Sequence, residues 1–215
     1  MTSFVILLGG HLSRTDRLIS QLDGARFIAA DGGIRHADLL GVTPELWVGD
    51  FDSADQTLLD RYSSVPRQVY PAEKALTDGE IAIEAARREA GADRLILAGA
   101  MGGARTDHGL AHLVHALSLA RSGMPIFLTS GDEEAYPLLP GLMSLDLPDR
   151  SLLSIIGFDD LEGLTIENVR YPLTNFSLPF GSSRTISNVA RGTVRFRLGS
   201  GRAIILARPY DFSGV

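Results

Sequence analysis

Five aspartates carry the chemistry open to this chain, and each follows a short apolar run. Asp31 follows Phe27-Ile28-Ala29-Ala30, and Asp50 and Asp52 follow Leu46-Trp47-Val48 across Gly49. Asp78 lies just beyond Gln68-Val69-Tyr70, and Asp107 beyond Leu95-Ile96-Leu97-Ala98. Such runs read as strands, and in an open α/β sheet ligands bind outside the carboxyl ends of the strands. Two carboxylates ~4 Å apart repel by about 4 kcal/mol at an effective dielectric near 20. Several gathered along one edge therefore protonate or recruit cations. The Asp50-Phe51-Asp52 turn suits Mg²⁺, a hard ion that takes oxygen ligands and shares them with substrate phosphates. Helix capping is the competing use of a single acid, and Asp31, Asp78 and Asp107 each stand where a cap belongs. Capping does not account for the glycines beside so many of them.

Those glycines supply the complementary half of a site. Gly32-Gly33 and Gly99-Ala100-Met101-Gly102-Gly103 bring bare backbone N–H groups to helix starts, which is how phosphates are held. Lys74 precedes Thr77-Asp78, and Arg105 precedes Asp107. Either cation neutralises a polyphosphate from the side opposite a metal. Acids for Mg²⁺, amides for phosphate and flanking cations describe a metal–nucleotide site. Phosphoryl-type transfer there is largely positioning and charge neutralisation.

The elements that must position these groups alternate strand and helix over the first 130 residues or so. Strands are expected at 4–8, 27–30, 46–48, 68–70, 95–98 and 125–128, with helices at 14–22, 34–40, 54–62, 77–91 and 107–122. Thr77-Asp78-Gly79-Glu80 has capping-box spacing, and so has Ser53-Ala54-Asp55-Gln56, which places Ser53 at a helix start. Gly41, with Pro44 beyond, ends the second helix. The alternation predicts a mostly parallel, Rossmann-like sheet covered by helices. From residue 131 to 140 the chain reads as turn-rich, with Pro137 and Pro140. Beyond it, short β-like runs at 142–147, 151–156, 164–166, 176–178, 193–198 and 203–206 predict a smaller antiparallel β-sandwich. Gly199-Ser200-Gly201 reads as a hairpin turn between the last two strands. The expected domains are 1–132, α/β and nucleotide-binding, and 133–215, the sandwich.

Composition narrows the class. The 215 residues are 45% hydrophobic and 21% charged, as in an ordinary globular protein. A net charge of −6 argues against a broad nucleic-acid footprint. With no cysteine there is no thiolate metal site or catalytic thiol. No apolar run approaches the ~20 residues of a membrane span, and a cytoplasmic address is expected.

Four linked motifs carry a resemblance. Ala30-Asp31-Gly32-Gly33, Gly49-Asp50-Phe51-Asp52-Ser53, Lys74-x-x-Thr77-Asp78-x-Glu80 and Gly102-Gly103-Ala104-Arg105-Thr106-Asp107-His108 come in the order and rough spacing of thiamine pyrophosphokinases. Tyr171-Pro172-Leu173, Phe180-Gly181 and Ile186-Ser187-Asn188 resemble that family's C-terminal signature. The resemblance implies an Mg²⁺-dependent homodimer that moves the pyrophosphoryl group of ATP to the hydroxyl of thiamine, giving thiamine diphosphate and AMP. It implies that Asp50, Asp52 and Asp78 hold the metal and polyphosphate. Asp107 then stands near the attacking hydroxyl or a second metal, and Arg105 and Lys74 neutralise phosphate. Asp31, Gly32 and Gly33 shape the nucleotide pocket, with Thr77, Gly102 and Gly103 beside the phosphates. Ser187, Asn188 and Tyr171 fall to thiamine, which the family holds between one subunit's α/β domain and its partner's sandwich.

The chain departs from the family pattern at three places. Ala104 intervenes between Gly103 and Arg105, His112 stands where an asparagine is usual, and Val189-Ala190 follow Asn188 where an aromatic is expected. Tyr171 and Phe180 are the nearest aromatic substitutes. His108, His112 and His115 would align on one helix face, a spacing known for zinc, but read better as a partly buried polar stripe. Trp47 reads as core, and the arginines at 184, 191, 195, 197 and 202 as a solvated sheet face. Two other enzymes fit parts of the pattern: a pyrophosphokinase for another alcohol such as a hydroxymethylpterin, and a metal-dependent nucleotide-sugar glycosyltransferase. The latter gives no reason for Thr77-Asp78 and Arg105-Asp107.

Overall fold

Six apolar runs form strands that pair in parallel: β1 (Ser3–Leu7), β2 (Arg26–Ala30), β3 (Leu46–Gly49), β4 (Arg67–Val69), β5 (Arg94–Ala98) and β6 (Ile126–Thr129). Their order across the sheet is β6-β5-β1-β2-β3-β4. Phe4 to Leu7 and Leu95 to Ala98 are wholly buried, because a parallel strand covered on both faces has no solvated side. The order reverses direction between β1 and β5, a switch point that opens a crevice beyond their carboxyl ends. The computed structural model describes residues 2–51, 54–71 and 75–214, without the side chain of Glu89. The chain divides into two compact units, residues 1–112 with 124–131 and residues 113–123 with 132–215.

Five helices accompany these strands: α1 (Asp16–Leu22), α2 (His36–Leu40), α3 (Gln56–Arg61), α4 (Asp78–Glu84) and α5 (Thr106–Arg121). The capping box expected at Thr77 is present. Thr77 Oγ1 accepts from the Glu80 N–H at 3.2 Å, and the Thr77 N–H donates to Glu80 Oε2 at 2.8 Å. The box expected at Ser53 rests on a residue outside the described ones, and α3 starts later than expected. Asp55 caps α3, accepting from the Leu58 N–H at 2.8 Å. Gln56 is thus the first helical residue rather than the third, and its amide donates to Asp60 at 2.7 Å. Past Glu84, residues Ala85–Glu89 widen into a π-helical turn.

The second unit holds β7 (Glu134–Leu138), β8 (Gly141–Leu145), β9 (Leu152–Gly157), β10 (Leu161–Val169), β11 (Leu173–Leu178), β12 (Asn188–Leu198) and β13 (Ala203–Arg208). Their pairings with one another are antiparallel. The long β12 pairs with β9 at its start and with β8 and β10 further on. Along it Val194, Phe196 and Leu198 are buried while Arg195 and Arg197 are exposed, so those arginines do lie on a solvated face. Leu153, Ile155, Leu164, Ile166, Phe196 and Ile205 are central to the core.

Two local expectations are corrected in this unit. The stretch read as turns contains β7, because the buried Ala135 and Leu138 outweigh the donor that Pro137 lacks. The last two strands do not form a hairpin. β13 pairs with β7 and β9, while Ser200 bridges back to Glu162.

Two consequences are measurable. A Cβ on the buried Gly33 would come within 2.1 Å of the Leu7 carbonyl oxygen. Gly33→Ala should therefore lower stability by ~3 kcal/mol in urea titrations, as overpacking against backbone does. At Tyr62, burial first and the Asp38 carboxylate second push the phenol up to about 12. An unfolded tyrosine ionises near 10, so the unfolded state loses its proton while the folded state keeps it. Stability should fall as pH rises from about 10 to about 12. Tyr62→Phe should flatten that slope in pH-dependent melts.

Candidate active site

Beyond the carboxyl ends of β1, β2, β3 and β5 lies a cavity of about 640 Å³, lined entirely by the first unit. Asp31, Asp50 and Asp78 line it together with Arg35, Arg105 and His36. Its floor is a backbone ladder that continues past the strands. The Leu8 N–H donates to Ala98 O, Gly10 N–H to Gly99 O and His11 N–H to Met101 O, at 2.8 to 3.0 Å. The approach is too close for side chains: a Cβ on Gly10 would stand 2.4 Å from the Gly99 oxygen.

The acid turns are held tightly. Asp31 and Phe51 both take left-handed backbone, at φ 41° and 62°. Such residues cost ~1–3 kcal/mol each and persist only where their surroundings over-determine them. Gly49 allows the two turns to touch, since a Cβ there would sit 3.3 Å from Asp31 Cα. Trp47 Nε1 donates to the Asp31 carbonyl at 2.9 Å, and its ring meets Phe51 edge-on at 4.7 Å. Because Thr77 takes the capping position, Asp78 is the first residue of α4 and need not cap it.

Gly32, Thr77 and Gly103 also line the cavity, whereas Gly33, Gly102 and Asp107 do not. Gly33 packs against the backbone of Leu7 and Leu8 at the end of β1, and Gly102 makes a turn at φ 67°. Asp107 instead receives two bonds from Arg105, Nε to Oδ1 at 2.9 Å and Nη2 to Oδ2 at 2.6 Å. That paired guanidinium holds the Asp107 carboxyl well below the usual carboxylate range. Asp52 and Lys74 lie outside the described residues. Ser187, Asn188 and Tyr171 belong to the second unit. There the Asn188 amide is buried and accepts from Tyr171 N–H at 3.0 Å while donating to Tyr171 O at 2.9 Å. Tyr171 itself is 59% exposed.

His36 is a site residue that spacing gave no reason to select. Its Nε2 lies 2.9 Å from the Gly10 carbonyl, which only accepts, so Nε2 carries the proton. Burial lowers its pKa. His112 anchors the opposite loop in the same way, through Nδ1 to Ala100 O at 2.9 Å. Both bonds join residues far apart in the chain. His108 lines the cavity with His112, but His115 does not. Among the described residues no three of His, Asp or Glu form a group able to hold a metal alone.

With carboxylates, glycine backbone and guanidiniums around one cavity, the arrangement can hold a polyphosphate and place an alcohol beside it. Comparison with known proteins agrees with that chemistry. Residues 22–128 match the family model described as thiamin pyrophosphokinase, catalytic domain, and residues 144–202 the model described as thiamin pyrophosphokinase, vitamin B1 binding domain. The chain is 30% identical over 178 residues to a thiamine pyrophosphokinase of Bacillus subtilis, covering 80% of this chain and 81% of that one. A crystal structure of the Bacillus subtilis protein superposes with a TM-score of 0.85 at 26% identity, over 98% of this chain and 100% of that one. A thiamin pyrophosphokinase from Geobacillus thermodenitrificans superposes at 0.78 with 27% identity and full coverage of both. The chain belongs to the thiamine pyrophosphokinase family.

Proposed function

We propose that this protein transfers the pyrophosphoryl group of ATP to the hydroxyl of thiamine, giving thiamine diphosphate and AMP. The observation that carries the reading is that Asp31, Asp50 and Asp78 line one cavity with Arg35 and Arg105, at the switch point of a parallel sheet. The first unit is read as the Rossmann-like catalytic domain and the second as the sandwich that recognises thiamine through Ser187, Asn188 and Tyr171. The working form is a cytoplasmic homodimer. No helix among the described residues is long and apolar enough to cross a membrane.

The donor set is all carboxylate oxygen, which fits Mg²⁺. Asp50, Asp52 and Asp78 would hold it, with substrate phosphates completing its shell. When bound, the ion supplies charge neutralisation on the polyphosphate. Arg35 and Arg105 add positive charge, and the bare N–H groups of Gly32 and Gly103 face phosphate oxygens. The thiamine hydroxyl oxygen attacks the β-phosphorus, the bond from that phosphorus to the α–β bridging oxygen breaks, and AMP departs. The hydroxyl proton leaves toward Asp107 once Arg105 exchanges that carboxylate for phosphate. Lys74 completes the cationic side.

Incubation with Mg²⁺, ATP and one alcohol at a time tests the assignment. AMP should form with thiamine and not with a hydroxymethylpterin; ADP, or no nucleotide consumption, rejects it. Chelation by EDTA should stop the reaction and added Mg²⁺ restore it. Asp50→Asn and Asp52→Asn should each lower kcat by at least about 100-fold with unchanged circular dichroism. A folded, fully active variant removes that residue from the mechanism.

A further inference from the structure

Trp47 is the single tryptophan of the chain and is wholly buried in β3. A buried indole N–H ordinarily finds a partner, and the identity of this partner is informative. It is the main-chain oxygen of Asp31, an acid that lines the cavity. The same ring meets that of Phe51, the residue between Asp50 and Asp52, with centroids 4.7 Å and planes 79° apart. Tyr62 closes on the ring at 6.3 Å, and the Arg67 guanidinium lies 5.4 Å from its centre. One rigid group, packed on every side, thus touches both acid-bearing turns.

We propose that Trp47 is a positioning residue of the nucleotide site. Its N–H fixes the Asp31 turn and its ring edge fixes Phe51, so the spacing between Asp31 and Asp50 is set from the core. Phenylalanine would fill much of the same space but could not reach the Asp31 carbonyl with a donor. The kinetic part of this role rests on the pyrophosphokinase reading; its optical part needs only binding of Mg-ATP.

Trp47 is the sole indole emitter, so its fluorescence reports these contacts directly. Titration of the intact protein with Mg-ATP should change its emission saturably, with a midpoint matching the Kd from calorimetry. Trp47→Phe should lower kcat on the order of 10- to 100-fold, the scale of a small misplacement. Its KM for thiamine should move less than about 2-fold, because the acceptor is bound by other groups. Calorimetric binding of Mg-ATP without any emission change overturns the proposal, as does a folded Trp47→Phe protein with wild-type kcat. If that variant does not fold, the emission titration decides alone. An emission change in a protein that makes no AMP from thiamine supports the positioning role and refutes the acceptor. Absence of Mg-ATP binding refutes both.

Discussion

The site depends on the zipper of backbone hydrogen bonds that carries the β1–β5 pairing past the ends of both strands. Leu8, Gly10 and His11 donate in turn to Ala98, Gly99 and Met101. The Gly99 N–H in turn donates to the carbonyl of Thr129, the last residue of β6. Loops joined this way cannot move independently, so the cavity floor is as fixed as the sheet. The condition is bare backbone. Gly99 sits at φ 74°, and a Cβ there would come within 2.4 Å of the Leu8 oxygen. The Gly99 loop that suggested phosphate binding from sequence therefore has a prior duty in packing, and the Gly99 amide itself is spent on the sheet.

A floor of this kind concentrates charge. Among the described residues three carboxylates line the cavity, and their mutual repulsion there needs an answer. Two arginines give part of it. Arg105 is engaged with Asp107 in a two-bond pair, so its charge is available to an anion only by exchange. Phosphate matches carboxylate in offering paired oxygens to a guanidinium, which makes that exchange chemically symmetrical. The two histidines that touch glycine-loop carbonyls, His36 and His112, brace the cavity without adding cation while neutral.

How much of this was legible in the sequence follows physical range. Continuous apolar runs and the Thr77 box are local signals, and the first strands and the start of α4 lie where they were expected. Asp31, Asp50 and Asp78 line the cavity, and what pointed to them in the sequence is that each follows a strand, a rule that holds for any parallel sheet. What escaped were decisions made between alternatives of similar local energy, such as Asp55 over Ser53 as a cap. Long-range bonds escaped too. Nothing within a few residues of His36 signals a bond to Gly10, 26 positions away. Trp47 reads as core from its neighbours and is core, but its polar end serves the site. The final hairpin failed because Ser200 bridges to Glu162 on a strand that sequence order does not place nearby.

The second unit shows the same displacement of role. An aromatic was expected just after Asn188, yet Val189 and Ala190 there are buried in the sheet and present no ring. Asn188 has its own amide occupied by both main-chain groups of Tyr171 and by the Val189 N–H. An amide so placed tethers the Tyr171 main chain. What it tethers is an exposed aromatic with the Arg170 guanidinium 5.4 Å from its ring. The motif residue thus holds in place an exposed ring 17 positions earlier in the chain, a packing duty that its sequence neighbours do not signal.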